Sequence, residues 1–257
     1  MHYFHGQLNY PVYAYAQSYN DGYSEGKHRH DRIQLLHTLS GVIHVKTDEG
    51  IWVIPPTRGI WIPEGKAHSI TIHGNVEARG VFIDSLARAD LSAVCSVVAI
   101  PKLLSELINQ AVHISDEILP HTRDERLLQL ILDEIRFLEE VPFRLPEPQS
   151  AVLKSICTYI LTDLSVVHHL DHIAKQYHVS SKTLARLFQK EMNMSFTVWL
   201  TQAKLLKALT DLESKKPILN IAFDLGYESS SAFSYMFKRE MGLTPTAYLK
   251  KSHGEVV

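Results

Sequence analysis

Apolar positions change period once along the chain, and the change divides it. Up to about residue 100 they alternate by two or come in short runs, the pattern of half-buried strands. Segments 12–15, 33–39, 42–45, 51–54, 60–62, 69–72 and 81–83 are rich in β-branched and aromatic residues. Gly22, Gly41, Gly50, Gly65, Gly74 and Pro55-Pro56 punctuate them. Many short strands at such spacing predict a sandwich or barrel, here a jelly roll. From residue 101 the spacing becomes three and four, and helices follow. Two are predicted at 102–108 and 126–138, the second apolar over a wide face that suits a dimerisation pair as well as packing on the barrel. Residues 141–149 carry Pro142, Pro146 and Pro148, so no helix runs through them. They predict an extended linker.

Beyond the linker the pattern predicts seven helices, at 150–162, 169–177, 180–192, 196–212, 218–225, 229–241 and 245–251. Ile218, Ile221, Ala222 and Leu225 mark one helical face, and Gly226 is its stop. Ser229-Ser230-Ser231 then caps a helix whose buried face is Ala232, Phe233, Met236 and Phe237. Helix, glycine turn and a second helix with a polar, basic outer face is the arrangement that enters a DNA major groove. An earlier stretch repeats it: Ile173-Ala174 lines up with Ile221-Ala222, 48 residues on, and Phe188-Gln189-Lys190-Glu191-Met192 with Phe237-Lys238-Arg239-Glu240-Met241.

Those residues, with Gly226-Tyr227, Gly242, Pro245, Tyr248 and the Leu205, Ala208, Leu212 series, resemble the AraC/XylS family of bacterial transcription regulators over roughly residues 150–251. The resemblance implies two recognition helices, 180–192 and 229–241, held apart by the helix 196–212 so as to meet successive major grooves about 34 Å apart. Carried over by position, Lys182, Thr183 and Arg186 face bases on the first helix, Arg186 as a bidentate partner of guanine. Ala185 offers only an apolar contact. On the second helix the base-facing set is Ser230, Ser231, Ser234 and Tyr235. Ser181, Ser229, Lys238, Arg239 and Thr246 are placed for phosphates, which position without reading. Lys204 is expected to bond helix to helix or to touch DNA.

The net charge of −2 looks wrong for such a protein until the chain is divided. Residues 1–149 hold 13 Lys and Arg against 19 Asp and Glu, net −6, while residues 150–257 hold 13 against 9, net +4. Positive charge lies where phosphates need it. At 257 residues the chain is long enough for two cores, and 45% apolar with 21% charged residues is an ordinary globular composition. No apolar run approaches the ~18 residues of a membrane span, and the first residues lack a signal-peptide pattern. Cys95 and Cys157 show no disulfide or zinc spacing and read as reduced, buried thiols of a cytoplasmic, nucleoid-associated protein.

The strand-rich part carries its own pattern. Gly22-x5-His28-x-His30-x3-Gln34-x6-Gly41 and Pro63-x-Gly65-x2-His68 resemble the two motifs of the cupin superfamily, where histidines and an acid converge on one metal. Two residues apart on a strand, His28 and His30 would share a face, and His68 would come from a neighbouring strand. Imidazole suits zinc, nickel, iron or copper. Gln34 departs from the enzyme motif by putting a neutral amide where glutamate stands. Weak metal binding, metal together with an anionic effector, or an organic effector alone all fit that set. Together with Leu35-Leu36, Trp52 to Pro56, Arg58 and Trp61 to Pro63, these residues resemble the sensor domain of a short AraC-type subgroup, often encoded beside efflux-transporter genes, in which glutamine is usual here. Trp52 and Trp61 read as core, Arg58 as an anion clamp or a surface residue, and His5, His37, His44 and His73 as ordinary polar or partly buried positions.

The expected architecture is α+β: an N-terminal cupin jelly-roll barrel (1–100), a helical dimerisation or packing segment (101–140), a Pro-rich linker (141–149) and a C-terminal all-α double helix-turn-helix domain (150–257). The expected function is an effector-responsive regulator that binds promoter DNA. Its expected partners are a metal or small-molecule effector, RNA polymerase and a second copy, with no membrane. The alternative is a metal-dependent cupin enzyme fused to a DNA-binding domain, with His28, His30, Gln34 and His68 on the metal. An architectural or RNA-binding role fits the paired major-groove geometry poorly.

Overall fold

A computed structural model describes residues 10–56, 58–115, 117–141 and 143–252; His5 and Pro142, singled out above, lie outside them. The chain forms two compact units. One ends at Arg144; the other runs from Leu145 and also takes Glu49–Ile51.

The first unit is an antiparallel, cupin-like sheet structure. Its strands are β1 (Val12–Tyr19), β2 (Ser24–His28), β3 (Ile33–Lys46), β4 (Gly50–Ile54), β5 (Arg58–Ile62), β6 (His68–Ile83) and β7 (Ser96–Ala99). β6 is central, pairing with β1, β2 and β3, while β3 also pairs with β5, and β5 with β7. The segments 33–39 and 42–45 expected as separate strands are one strand, and so are 69–72 and 81–83. Gly41 and Gly74 do not end strands. They sit at and beside register shifts between Thr38 and Val42, where β3 and β6 bend without breaking their ladder. Ile43, Trp52, Ile54, Ile60, Ile62, Ile72 and Phe82 are buried at under 2% exposure.

Two helices, α1 (Lys102–Ala111) and α2 (Arg123–Ile135), close a second core against this sheet. Leu104, Ile108, Leu128 and Ile131 pack with Leu35, Val81 and Val98. Leu103, Leu130 and Phe137 remain exposed. The extended segment that follows contains β8 (Glu140–Val141), paired with β7, and β9 (Arg144–Pro146). Both cysteines are free and buried. Among the described residues, no helix is long and apolar enough to cross a membrane.

The second unit holds α3 (Ala151–Thr162), α4 (Leu170–Gln176), α5 (Ser181–Met192), α6 (Phe196–Glu213), α7 (Ile218–Asp224), α8 (Ser230–Met241) and α9 (Pro245–Ser252), each within a residue or two of its expected bounds. α6 is buried nearly all round because it serves two cores. At its start Phe196 and Trp199 pack on Phe188 of α5, ring centroids 5.3 and 5.6 Å apart from that ring. At its end Glu213 accepts the Tyr248 hydroxyl at 3.1 Å, and Tyr248 lies edge-on to Phe237 of α8.

Candidate nucleic-acid interface and effector cavity

The two helix pairs α4–α5 and α7–α8 are closed by the same turn. At the end of α4, His178 N donates to Lys175 O at 3.2 Å and Val179 N to Ala174 O at 3.0 Å. At the end of α7, Gly226 N donates to Phe223 O and Tyr227 N to Ala222 O, each at 2.9 Å. This is the crossed pair of bonds that ends a helix on a left-handed residue. His178 holds it at φ 54° and Gly226 at φ 71°. Each following helix is capped alike: Ser180 Oγ accepts from Thr183 N, and Ser229 Oγ from Ala232 N, both at 3.1 Å. The second turn holds one residue more, Glu228.

The reader faces follow from burial. On α5, Leu184, Phe188 and Met192 are inside, while Lys182, Ala185 and Arg186 are exposed and Ser181 and Thr183 partly so. The Ser181 hydroxyl bonds the Asp171 carboxylate, and the Thr183 hydroxyl lies 2.8 Å from that of Ser180. Both therefore stiffen the helix start as well as facing outward. On α8, Phe233, Met236, Phe237 and Met241 are inside. Ser231, Tyr235, Lys238 and Arg239 are exposed, Tyr235 at 73%, and Ser230 and Ser234 partly exposed. Glu240 grips the Arg239 guanidinium at 2.8 and 2.7 Å, which offsets part of its charge. Thr246 is exposed at the start of α9. Lys204 is buried at 9% exposure with its ammonium 5.0 Å above the Tyr227 ring, so it joins α6 to the second turn. Burial lowers its pKa.

In the first unit the three histidines come together, though not as two positions on one strand. His28 ends β2 opposite His68, the first residue of β6; His30 lies beyond β2 and is fully buried. The His68 ring centroid is 4.3 Å from that of His28 and 5.1 Å from that of His30. Each Nδ1 faces a backbone carbonyl: Gly26 O at 2.8 Å for His28, Arg32 O at 2.7 Å for His30, Lys66 O at 2.9 Å for His68. The proton therefore sits on Nδ1, and Nε2 is the basic nitrogen. His30 Nε2 is 3.0 Å from the Gln34 amide, whose other end lies 2.5 Å from the Tyr15 hydroxyl. A neutral His30 is satisfied at both nitrogens when the amide presents its NH2 to Nε2 and its oxygen to Tyr15. His30 Nε2 thus turns to Gln34. Among the described residues no group of three or more His, Cys, Asp or Glu is arranged to hold a metal ion. The expected ligand set of His28, His30, Gln34 and His68 is gathered in one place but not aimed at one point.

Beside these residues lies a cavity of about 350 Å³, whose lining includes Tyr15, Tyr19, Glu25, His68, Ile70 and Phe82. His28 and Gln34 line it too; His30 does not. Tyr15 stacks on Phe82 at 5.1 Å, and its ring occupies the space where a side chain on Gly80 would stand, within 2.4 Å of its atoms. Burial pushes the Tyr15 phenol well above its usual range and lifts that of Tyr19, beside the Glu25 carboxylate, to about 12. Burial, opposed by the Lys66 carbonyl and reinforced by the other two histidines, lowers His68 to about 4. Sequence reasoning missed Tyr15, Tyr19 and Glu25; the available signal was the alternation of Tyr13, Tyr15 and Tyr19 on β1. Arg58 does not line the cavity and lies 5.7 Å over the Phe143 ring.

Comparison with known proteins places both parts. Residues 9–136 match an AraC-like ligand binding domain and residues 173–251 a helix-turn-helix domain. The HTH-type transcriptional regulator NimR of Escherichia coli K12 is 29% identical over 224 residues, covering 87% of this chain and 82% of that one. The regulatory protein SoxS of Salmonella typhimurium is 31% identical over 98 residues, 38% of this chain and 92% of SoxS. Among solved structures, ToxT from Vibrio cholerae covers 94% of this chain and 99% of its own at 13% identity and a TM-score of 0.40. With a ligand-binding domain and a helix-turn-helix domain in that order, the chain belongs to the AraC family of transcriptional regulators.

Proposed function

We propose that this regulator is cytoplasmic and acts by binding rather than by catalysis, holding a small organic effector in the cavity beside His28, Gln34 and His68. The observation that supports an organic ligand is the Gln34 amide on His30, which takes one imidazole out of any metal set and leaves the cavity lined by aromatic rings and hydrogen-bonding groups. On DNA, α5 and α8 enter the major groove. Arg186 and Lys182 read bases from α5, with Thr183 beside them; Ser230, Ser231, Ser234 and Tyr235 face bases from α8. Ser181, Ser229, Lys238, Arg239 and Thr246 meet phosphates. Two copies pair through the exposed apolar residues of the α1–α2 region, Leu103 and Leu130, and the bound regulator works with RNA polymerase at the promoter. The test is selection of bound duplexes from a random pool by the full chain, followed by footprinting. Two protected half-sites one helical turn apart are expected; equal binding to single-stranded RNA would overturn the reading.

A transition metal is the second reading, and the convergence of the His28, His30 and His68 rings, each with Nδ1 on a backbone carbonyl, favours it, since that is how histidine ligands are oriented. Zinc, nickel, iron or copper would require Gln34 to turn away from His30. Metal analysis of protein from metal-replete cells, wild type beside His28→Ala/His68→Ala, decides between the readings.

A further inference from the structure

Resting on the reading of this cavity as the effector site, we propose that it selects an organic cation, an aromatic-sized ligand carrying an amidinium or ammonium group. Among the described lining residues Glu25 is the only formally charged side chain, and no Lys or Arg lines the cavity. An anion would meet a like charge and find no positive partner. The Glu25 carboxylate lies 4.0 Å from His28 Nδ1, whose proton faces the Gly26 carbonyl at 2.8 Å. His68 also gives its Nδ1 proton to the backbone, so its Nε2 is an acceptor. A ligand with N–H donors matches these acceptors.

The walls point the same way. Tyr15 and Phe82 stack at 5.1 Å, and Tyr13 and Tyr19 add two more rings to the lining. Aromatic faces carry negative quadrupoles and attract cations. Residues 1–149 carry a net charge of −6, a field that raises the local concentration of cations.

Benzamidine, benzamide and benzoate are close in shape and differ in charge, which makes them suitable probes. Isothermal titration of the full-length protein should show benzamidine bound about tenfold more tightly than benzamide, with benzoate weakest. Glu25→Gln should remove most of that advantage and leave benzamide unchanged. Equal or tighter binding of benzamide or benzoate, lost in Gln17→Trp or in Leu36→Phe, would overturn the cation assignment and keep the cavity as the effector site. Binding indifferent to both of those lining variants, or no binding of any probe, would overturn the cavity reading as well. Circular dichroism of each variant separates a filled cavity from an unfolded chain.

Discussion

Gly226 and His178 hold the same left-handed backbone conformation, 48 residues apart, at φ 71° and 54°. They are equivalent in the turn but not in their surroundings. A β-carbon on Gly226 would stand 2.5 Å from the Ser165 carbonyl oxygen. Only glycine satisfies both the dihedral and the space there.

Gly226→Ala should therefore cost more than about 2 kcal/mol, from the left-handed penalty and the overlap together. His178→Gly should change stability by less than about 1 kcal/mol, since relief at φ is offset by unfolded-state entropy. Urea unfolding of both variants checks the pair. Equal effects would show that the two turns are interchangeable.

His37 is buried, and its ring joins β3 to α1, with Nδ1 on the Arg58 carbonyl at 3.1 Å and Nε2 on the Ser105 hydroxyl at 3.2 Å. Burial lowers its pKa from 6.5 to about 4, opposed by the Arg58 carbonyl and reinforced by Arg79. The folded chain holds the neutral ring, so its contribution is complete above pH 6.5 and is lost as pH falls towards 4. At about 1.4 kcal/mol per pH unit the interval is worth on the order of 3 kcal/mol. His37→Asn should flatten the fall in urea midpoint between pH 7 and pH 4.5. An unchanged slope would assign the loss to other groups.

Arg186 and Lys182 are both exposed on α5, and Arg186, whose planar fork can bond guanine at two points, gives the sharper test of base reading. Arg186→Ala should cost roughly 1–3 kcal/mol and relax preference at one base pair. A change at a phosphate contact lowers affinity on every sequence and reduces the salt slope by about one. Binding titrations on matched and mismatched duplexes at several salt concentrations separate the outcomes. A uniform loss for Arg186→Ala would make it a phosphate contact.

Lys204 is the opposite case. Its ammonium lies over Tyr227, inside the domain. Lys204→Ala should lower stability by about 1–2 kcal/mol through lost packing and cation–π attraction, with the salt slope of DNA binding unchanged. A reduced salt slope at full stability would return Lys204 to the DNA surface.

Much of this was legible in the sequence. The helices of the second unit have strong periodicity, hydroxyl caps at Ser150, Ser180, Ser195 and Ser229, and stops at Asn193 and Gly242, so local chemistry and tertiary packing agree. The strands were harder. Gly41 and Gly74 look like turns locally, but pairing along β3 and β6 outweighs that signal and absorbs each as an irregularity. The three histidine rings come together as their spacing suggested, but by a different route. His28 and His30 share no strand face; His68 is brought to them by the register of β2 on β6. The turn of His30 Nε2 towards Gln34 depends on Tyr15, a residue no motif connects to either. A pairwise pattern along the chain does not encode such a three-body contact.

The burial of α6 sets a limit on where this protein can sit. With cores at both ends and Lys204, Asp211 and Glu213 enclosed as well, the 18-residue rod, about 27 Å long, is held by packing along most of its length. Two readers fixed to such a rod act as callipers. A changed base removes one contact, whereas half a helical turn of extra DNA between the half-sites rotates one target to the far side of the duplex. Operators should therefore tolerate substitution better than they tolerate a change of length.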